Sequence, residues 1–189
     1  NMGANVVLVN PFHRNESIRI LKKTDEYVLY HGNFNIRDNE DAALHFIEVF
    51  KLLSIQLKIA GLNPSKKLKS SALGFDNISI IDSPGDQKMI QLISNARLNL
   101  FYSKHSSGVK LKLVNALFNA QRCLVSQEFL VNSDLSHVCF AVKESDWKSK
   151  IEEEFNKSFN IRLISKREEI LKNYTCSFNV DKILRLIFQ

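Results

Sequence analysis

Short apolar runs alternate along this chain with stretches that are apolar on one side only. Tyr27-Val28-Leu29-Tyr30 is a β-rich run ending at His31-Gly32. From Asp41 to Leu53, Ala43, Phe46, Ile47, Phe50 and Leu53 recur at spacings of three and four, the period of a helix with one buried face. Asn39 is placed to cap that helix. Leu57 to Gly61 predicts a second strand, and Pro64 opens a short polar helix or turn reaching Ala72. Asn77 to Ile81 predicts a third strand, stopped by Asp82-Ser83-Pro84-Gly85. Asp86 then caps a helix whose apolar face is Met89, Ile90, Leu92 and Ile93. Leu98 to Tyr102 is the fourth strand, Ser103 to Gly108 a loop, and Val109 to Asn119 a helix with Leu113, Ala116 and Leu117 inward. Cys123 to Val125 and His137 to Val142 complete six strands, and the chain reads as helical in two or three pieces from Trp147 onward.

Strand then helix, repeated with short turns, predicts an α/β fold: a Rossmann-like, doubly wound parallel sheet with C-terminal helices. Apolar strands fit parallel pairing with both faces covered. Residues 1–26 carry one further apolar run, Val6 to Val9, and a polar stretch from His13 to Glu26. They read as an arm or linker from a further N-terminal domain, leaving 27–189 as the folded domain. Met2 behind Asn1 also suggests a piece cut from something longer, and no secretory leader is visible.

Composition narrows the setting. The 189 residues are 44% hydrophobic and 24% charged, ordinary for a packed domain. Cys123, Cys139 and Cys176 are odd in number and far apart, which suggests reduced thiols in a cytoplasmic compartment and no zinc site. No run of 18 apolar residues is present to span a membrane.

The formal charge of +6 points to an anionic partner or simply to solubility. Its placement favours the former. Gln87 to Gln127 contains no acid but carries Lys88, Arg97, Lys104, Lys110, Lys112 and Arg122; Lys51 to Phe75 has five lysines and no acid. A doubly wound sheet binds ligands at the carboxyl ends of its strands. There, Ser106, Ser107 and Gly108 allow close backbone approach, and the following helix N-terminus suits a phosphate. Lys110 and Lys112 sit just inside that helix, two apart, so they cannot both point at one spot. The bland alternative is a serine-rich cap with two solvated lysines.

Other motifs are absent: no G-x-G-x-x-G, no Walker-type phosphate loop and no nucleophile elbow. His45 and His137 read as structural, while His31 and His105 fall on ligand-side loops. The aromatic residues are mostly Phe at core-like spacing, not interleaved with Arg, so nucleic acid is not the expected partner.

The order YVLYHGNFNIRDNEDAA, LKIAG, NISIIDSPGD and NLFYSKHSSGVKLKLVNALFNAQRCLVS resembles the C-terminal, donor-binding half of GT-B-type retaining glycosyltransferases. The likeness is to the group 1 or family 4 kind found in bacterial surface-polysaccharide synthesis, and it covers about 27–130. It implies a nucleotide diphosphate sugar as substrate, with no separate cofactor and no metal. It also implies an acceptor domain upstream and peripheral association of the full-length protein with the inner face of the cytoplasmic membrane.

By that resemblance Gly32, Asn33, Arg37, Gly108, Val109, Lys110 and Lys112 would bind the diphosphate. Ser83, Pro84 and Asn115 would meet base and ribose, and His105, Ser106 and Ser107 the donor sugar. The family carries two glutamates across this last loop and helix; here Ser107 and Asn115 stand at those positions, both neutral. The family's basic residue after the first glycine is unmatched, since Asn33 follows Gly32 and Arg37 is the nearest substitute. The neutral pair also admits a degenerate, non-catalytic scaffold, and the charge alone admits a general anion- or nucleic-acid-binding α/β module. A response-regulator-like domain would need an acidic cluster at the end of the first strand, which is missing.

Overall fold

A computed structural model describes residues 7, 9–19, 21, 24–105, 110–131, 133–158 and 162–188. Six parallel strands form one sheet in the order β3-β2-β1-β4-β5-β6. They are β1 (Asp25–Asn33), β2 (Gln56–Leu62), β3 (Ile78–Asp82), β4 (Ala96–Phe101), β5 (Cys123–Ser126) and β6 (Phe140–Val142). The helices are α1 (Arg37–Phe50), α2 (Lys66–Ala72), α3 (Asp86–Asn95), α4 (Leu111–Asn119), α5 (Trp147–Asn156), α6 (Arg162–Leu171) and α7 (Cys176–Ile187). This is the expected doubly wound α/β architecture, and chain order reverses between β1 and β4.

The period of two along β1 divides the interior. Val28 and Tyr30 face a core built with Phe46, Phe50, Leu57, Ile59, Leu98, Leu100 and Trp147. Tyr27 and Leu29 face the opposite core, with Leu92, Ile93, Phe101, Leu113, Leu117 and Val125. Helices therefore cover both faces, which is why the strands are apolar without alternation.

Three sequence expectations are corrected. Asn39 is not the cap of α1: the helix starts at Arg37 behind Ile36, and the Asn39 side chain reaches sideways instead of back. Asp86 is the first residue of α3, whose cap is Gly85. The sixth strand is only Phe140–Val142; His137 lies in a 3₁₀ turn, Asp134–Val138, where Ser133 accepts a bond from Leu135 N. The other boundaries shift by a few residues at each end.

The arm lies on the domain. The His13 ring stacks on Phe118, and the His13 backbone N–H donates to Tyr174 O at 2.7 Å. Glu16 Oε1 accepts from the N–H groups of Cys176 and Ser177 at the start of α7. No helix among the described residues is long and apolar enough to cross a membrane.

Candidate functional site

The reversal between β1 and β4 is the place where a doubly wound sheet forms its ligand crevice, at the carboxyl edge, and the sequence shapes the floor of that place. β1 and β2 run in register with Gly32 opposite Gly61. A Cβ on Gly61 would lie 1.7 Å from Gly32 O, so only glycine lets these strand ends close. A Cβ on Gly32 would meet Asn39 Cγ at 3.0 Å, so the first turn of α1 lies directly against this strand end. Asn39 Nδ2 donates to Asn33 O at 2.9 Å, and Tyr30 OH donates to Asn39 O at 3.1 Å. On the other side Ser126 Oγ donates to Ser103 O at 3.0 Å and accepts from Ser103 N at 3.1 Å, which fixes the chain leaving β4.

Lys112 crosses from the first turn of α4 into this crevice. Its Nζ donates to His31 O at 3.1 Å and to Asn39 Oδ1 at 3.3 Å. The ammonium stands 5.0 Å from the Tyr30 ring centre and 5.7 Å from that of Phe101. No carboxylate pairs with it among the described residues. Burial lowers its pKa from 10.5 to about 8. Beside it His31 is buried edge-on to Phe101 at 5.6 Å. Burial first, and then the Lys112 charge, lower the imidazole to about 3, so it is neutral at physiological pH. His31 Nε2 has no hydrogen-bond partner among the described residues. A cation without a counter-anion and an unpartnered ring nitrogen therefore meet at the topological switch point.

The remaining candidates fall at several distances from that point. Gly32 and Asn33 form its rim. Arg37 is the first residue of α1, nearly fully exposed, with Nε 3.6 Å from Asp41 Oδ2. Lys110 occupies the cap position of α4 and turns the other way, its Nζ 4.5 Å from the Phe129 ring centre, with its pKa lowered by burial. The two lysines thus diverge, as their spacing requires. Ser83, in a left-handed conformation (φ 47°), and the half-buried Pro84 follow β3. That edge strand is two positions from β1, roughly 10 Å away at the usual strand spacing. Asn115 is half-buried; its Oδ1 accepts from Asn119 Nδ2 at 3.1 Å, and its side chain also bonds His13. Ser106, Ser107, Gly108 and Val109 lie outside the described residues.

His105 is exposed and borders a polar cavity of about 220 Å³, lined also by Asp38, Asp41, His45, Tyr102, Ser103 and Lys104. His45 stacks on Tyr102 at 4.6 Å and lies edge-on to Phe46, and Tyr102 OH donates to Glu144 Oε1 at 2.8 Å. Sequence pattern placed His45 in the packing but gave no sign that Asp38 and Asp41 would share a cavity with the end of β4. A larger cleft, about 780 Å³, lies between the arm at Glu16–Ile18, Phe118, α6 and α7. Phe118 is at the far end of α4 from Lys112, so size points away from the chemistry here. Among the described residues no cluster of His, Cys, Asp and Glu is arranged to hold a metal.

Two of the six basic residues in the acid-free stretch around β4 and α4 serve elsewhere. Arg97 pairs with Glu26 at 2.7 Å at the opposite edge of the sheet. Arg122 is buried, donates to Glu154 O at 2.6 Å and lies 3.9 Å from its carboxylate. Lys69, from the other acid-free stretch, pairs with Asp82 at 2.7 Å. The charge at the crevice is local to Lys112, with Lys104 and Lys110 nearby in sequence.

No protein-family model matches the chain, and no curated protein matches it in sequence. Solved structures match in fold. AviGT4, a glycosyltransferase involved in avilamycin A biosynthesis, superposes with a TM-score of 0.61 at 9% identity over 86% of this chain and 51% of its own. WaaG, a glycosyltransferase involved in lipopolysaccharide biosynthesis, gives 0.61 at 16% identity over 88% of this chain and 50% of its own. The chain therefore has a glycosyltransferase-like α/β fold and spans about half the length of these neighbours.

Proposed function

We propose that this chain is the donor-binding half of a glycosyltransferase that moves a sugar from a nucleotide diphosphate sugar to a cell-surface polysaccharide or glycolipid precursor. The observation that carries the reading is Lys112: a buried ammonium with no counter-anion among the described residues, at the switch point of a fold shared with glycosyltransferases twice as long.

Breaking the bond between the anomeric carbon and the diphosphate leaves negative charge on the phosphate and positive charge on the sugar ring. The ammonium of Lys112 would meet the departing diphosphate, and the N-terminus of α4 adds its dipole. Gly32 and Asn33 would let the phosphates approach the backbone. Lys110 and Arg37 would contribute from the periphery, and Gly108 and Val109 enter this proposal on sequence grounds. Ser83 and Pro84 border where a base would lie and Asn115 where a ribose would, while Ser106, Ser107 and His105 would meet the sugar. The acceptor site, and any catalytic group that comes with it, would belong to another domain, so the chain alone binds nucleotide weakly and transfers nothing.

Calorimetric titration with UDP, GDP and their sugars at pH 7 tests this reading. Binding in the millimolar range or tighter is expected, with loss on Lys112→Met. No binding of any nucleoside diphosphate at millimolar concentration would overturn it. A second reading, a scaffold that keeps the fold without turnover, is favoured by the neutral Ser107 and by the engagement of Asn115 with Asn119 and His13. Sugar transfer by a longer parent polypeptide, lost on Lys112→Met, would exclude it.

A further inference from the structure

The first two turns of α1 carry three carboxylates, Asp38, Glu40 and Asp41, and none of them neutralises Lys112. Glu40 accepts from Ser65 Oγ beside β2, Asp41 pairs with Arg37, and Asp38 borders the polar cavity. The side chain that meets the ammonium is the amide between Asp38 and Glu40, Asn39. Its orientation is fixed: Nδ2 is spent on Asn33 O, its carbons pack against Gly32, and Oδ1 is left facing Lys112 Nζ. A carboxylate in that place would give the ammonium a permanent partner. An amide oxygen orients it and leaves its charge intact.

We propose that Asn39 is the positioning residue of this anion site, holding the Lys112 ammonium at the crevice as an uncompensated charge for a bound diphosphate to neutralise. The proposal rests on the reading of the crevice as a diphosphate site. Two hydrogen bonds from Lys112 are accounted for, to His31 O and Asn39 Oδ1, and an ammonium has three N–H donors. The third is the one a phosphate oxygen would take.

The test compares the wild-type chain with Asn39→Asp and Asn39→Ala by two readouts. The first is the titration midpoint of the Lys112 ammonium, followed by NMR of lysine labelled at Cε and assigned by its loss in Lys112→Met. The second is UDP affinity by calorimetry at two salt concentrations. Asn39→Asp is expected to raise the midpoint by about one pH unit or more, the size of effect a close opposite charge produces. It should weaken UDP at least about tenfold and flatten the salt dependence, because the site then carries one positive charge fewer. Asn39→Ala should lower the midpoint and weaken UDP by a smaller factor. Thermal unfolding checks that each variant is folded, and Asn39→Ser, a neutral acceptor, replaces Asn39→Ala if that variant is not. A Lys112 midpoint unchanged in both variants overturns the proposal. So does wild-type UDP affinity in Asn39→Asp while Lys112→Met loses it, an outcome that leaves the diphosphate reading standing. If the wild-type chain binds no UDP, the diphosphate reading falls, and the lysine midpoint still decides whether Asn39 sets that charge.

Discussion

Replacing Lys112 by Met should make the free protein more stable at neutral pH while removing its nucleotide binding. The magnitude follows from burial. Moving the lysine pKa from 10.5 in the unfolded chain to about 8 in the folded one costs roughly 3 kcal/mol at pH 7, at about 1.4 kcal/mol per unit. Against this stand two hydrogen bonds, to His31 O and Asn39 Oδ1, worth about 1 kcal/mol each. Methionine keeps most of the stem's packing, so a net gain of about 1 kcal/mol is expected at pH 7. The pH dependence has a definite sign. Between pH 8 and 10.5 the unfolded chain binds more protons at this residue than the folded one, so wild-type stability rises with pH across that window. From pH 7 to 9.5 the Lys112 contribution is a rise of about 2 kcal/mol. Urea unfolding of both proteins at half-unit pH steps isolates it, because groups that do not sense Lys112 cancel in the difference and His31, which does, is neutral in the folded wild-type protein across this window. A Lys112→Met protein less stable than wild type at pH 7 by 1 kcal/mol or more, or a difference that stays flat from pH 7 to 9.5, would refute the reasoning.

Other outcomes follow from single contacts. Gly61→Ala should destabilise by about 3 kcal/mol or prevent folding, since its Cβ would sit 1.7 Å from Gly32 O; denaturant midpoints measure it. Arg167→Met should cost about 3 kcal/mol in the same assay, because the buried guanidinium binds Ala120 O at 2.6 Å and Gln121 O at 2.8 Å at the end of α4. Ser126→Ala should cost only about 1 kcal/mol, yet speed amide exchange at Ser103, whose N–H loses its acceptor. Phe46→Ala, which empties the ring cluster with Tyr30 and Trp147, should cost about 3–5 kcal/mol by thermal or denaturant unfolding.

The fold was legible because nearly every element carries its own signal. Apolar strands bounded by His31-Gly32, Gly61 and Ser83-Pro84-Gly85 leave little room for another class, and the helix period from Ala43 to Phe50 matches the buried face of α1 beyond its polar first turn. Local signals failed where a side chain serves a distant partner. Asn39 matches a cap in sequence, but its amide answers Asn33 and Lys112, the latter 73 residues away. His137 sits beside Val138 and Cys139 in a run that reads as a strand, yet Ser133 turns the chain first. The basic stretch was legible as charge but not as place: Arg97 and Arg122 hold α5 at the far edge of the sheet, where Glu26 and Glu154 meet them. Which lysine reaches the crevice was visible only as the rule that Lys110 and Lys112 must diverge.

Three buried or crevice-bound cations in the same domain separate a structural role from a functional one. Arg167 is caged by the carbonyls of Leu117, Ala120 and Gln121, and these, at the C-terminus of α4, sit where the helix dipole favours a cation. Arg122 binds the carbonyls of Glu154, Lys157 and Ser158 and has the Glu154 carboxylate close by. Each has its terminal nitrogens engaged by several carbonyls of the fold, with Nε without a partner among the described residues, and removing either would leave carbonyls unpaired. Lys112 has one carbonyl, one amide oxygen and two ring faces, and it sits near the N-terminus of α4, where the dipole opposes a positive charge. Packing alone would be served better there by Leu or Met. A residue that destabilises the free fold and is placed where its charge is least compensated makes physical sense when an anion completes its surroundings, and the switch point of the sheet is where such an anion would dock.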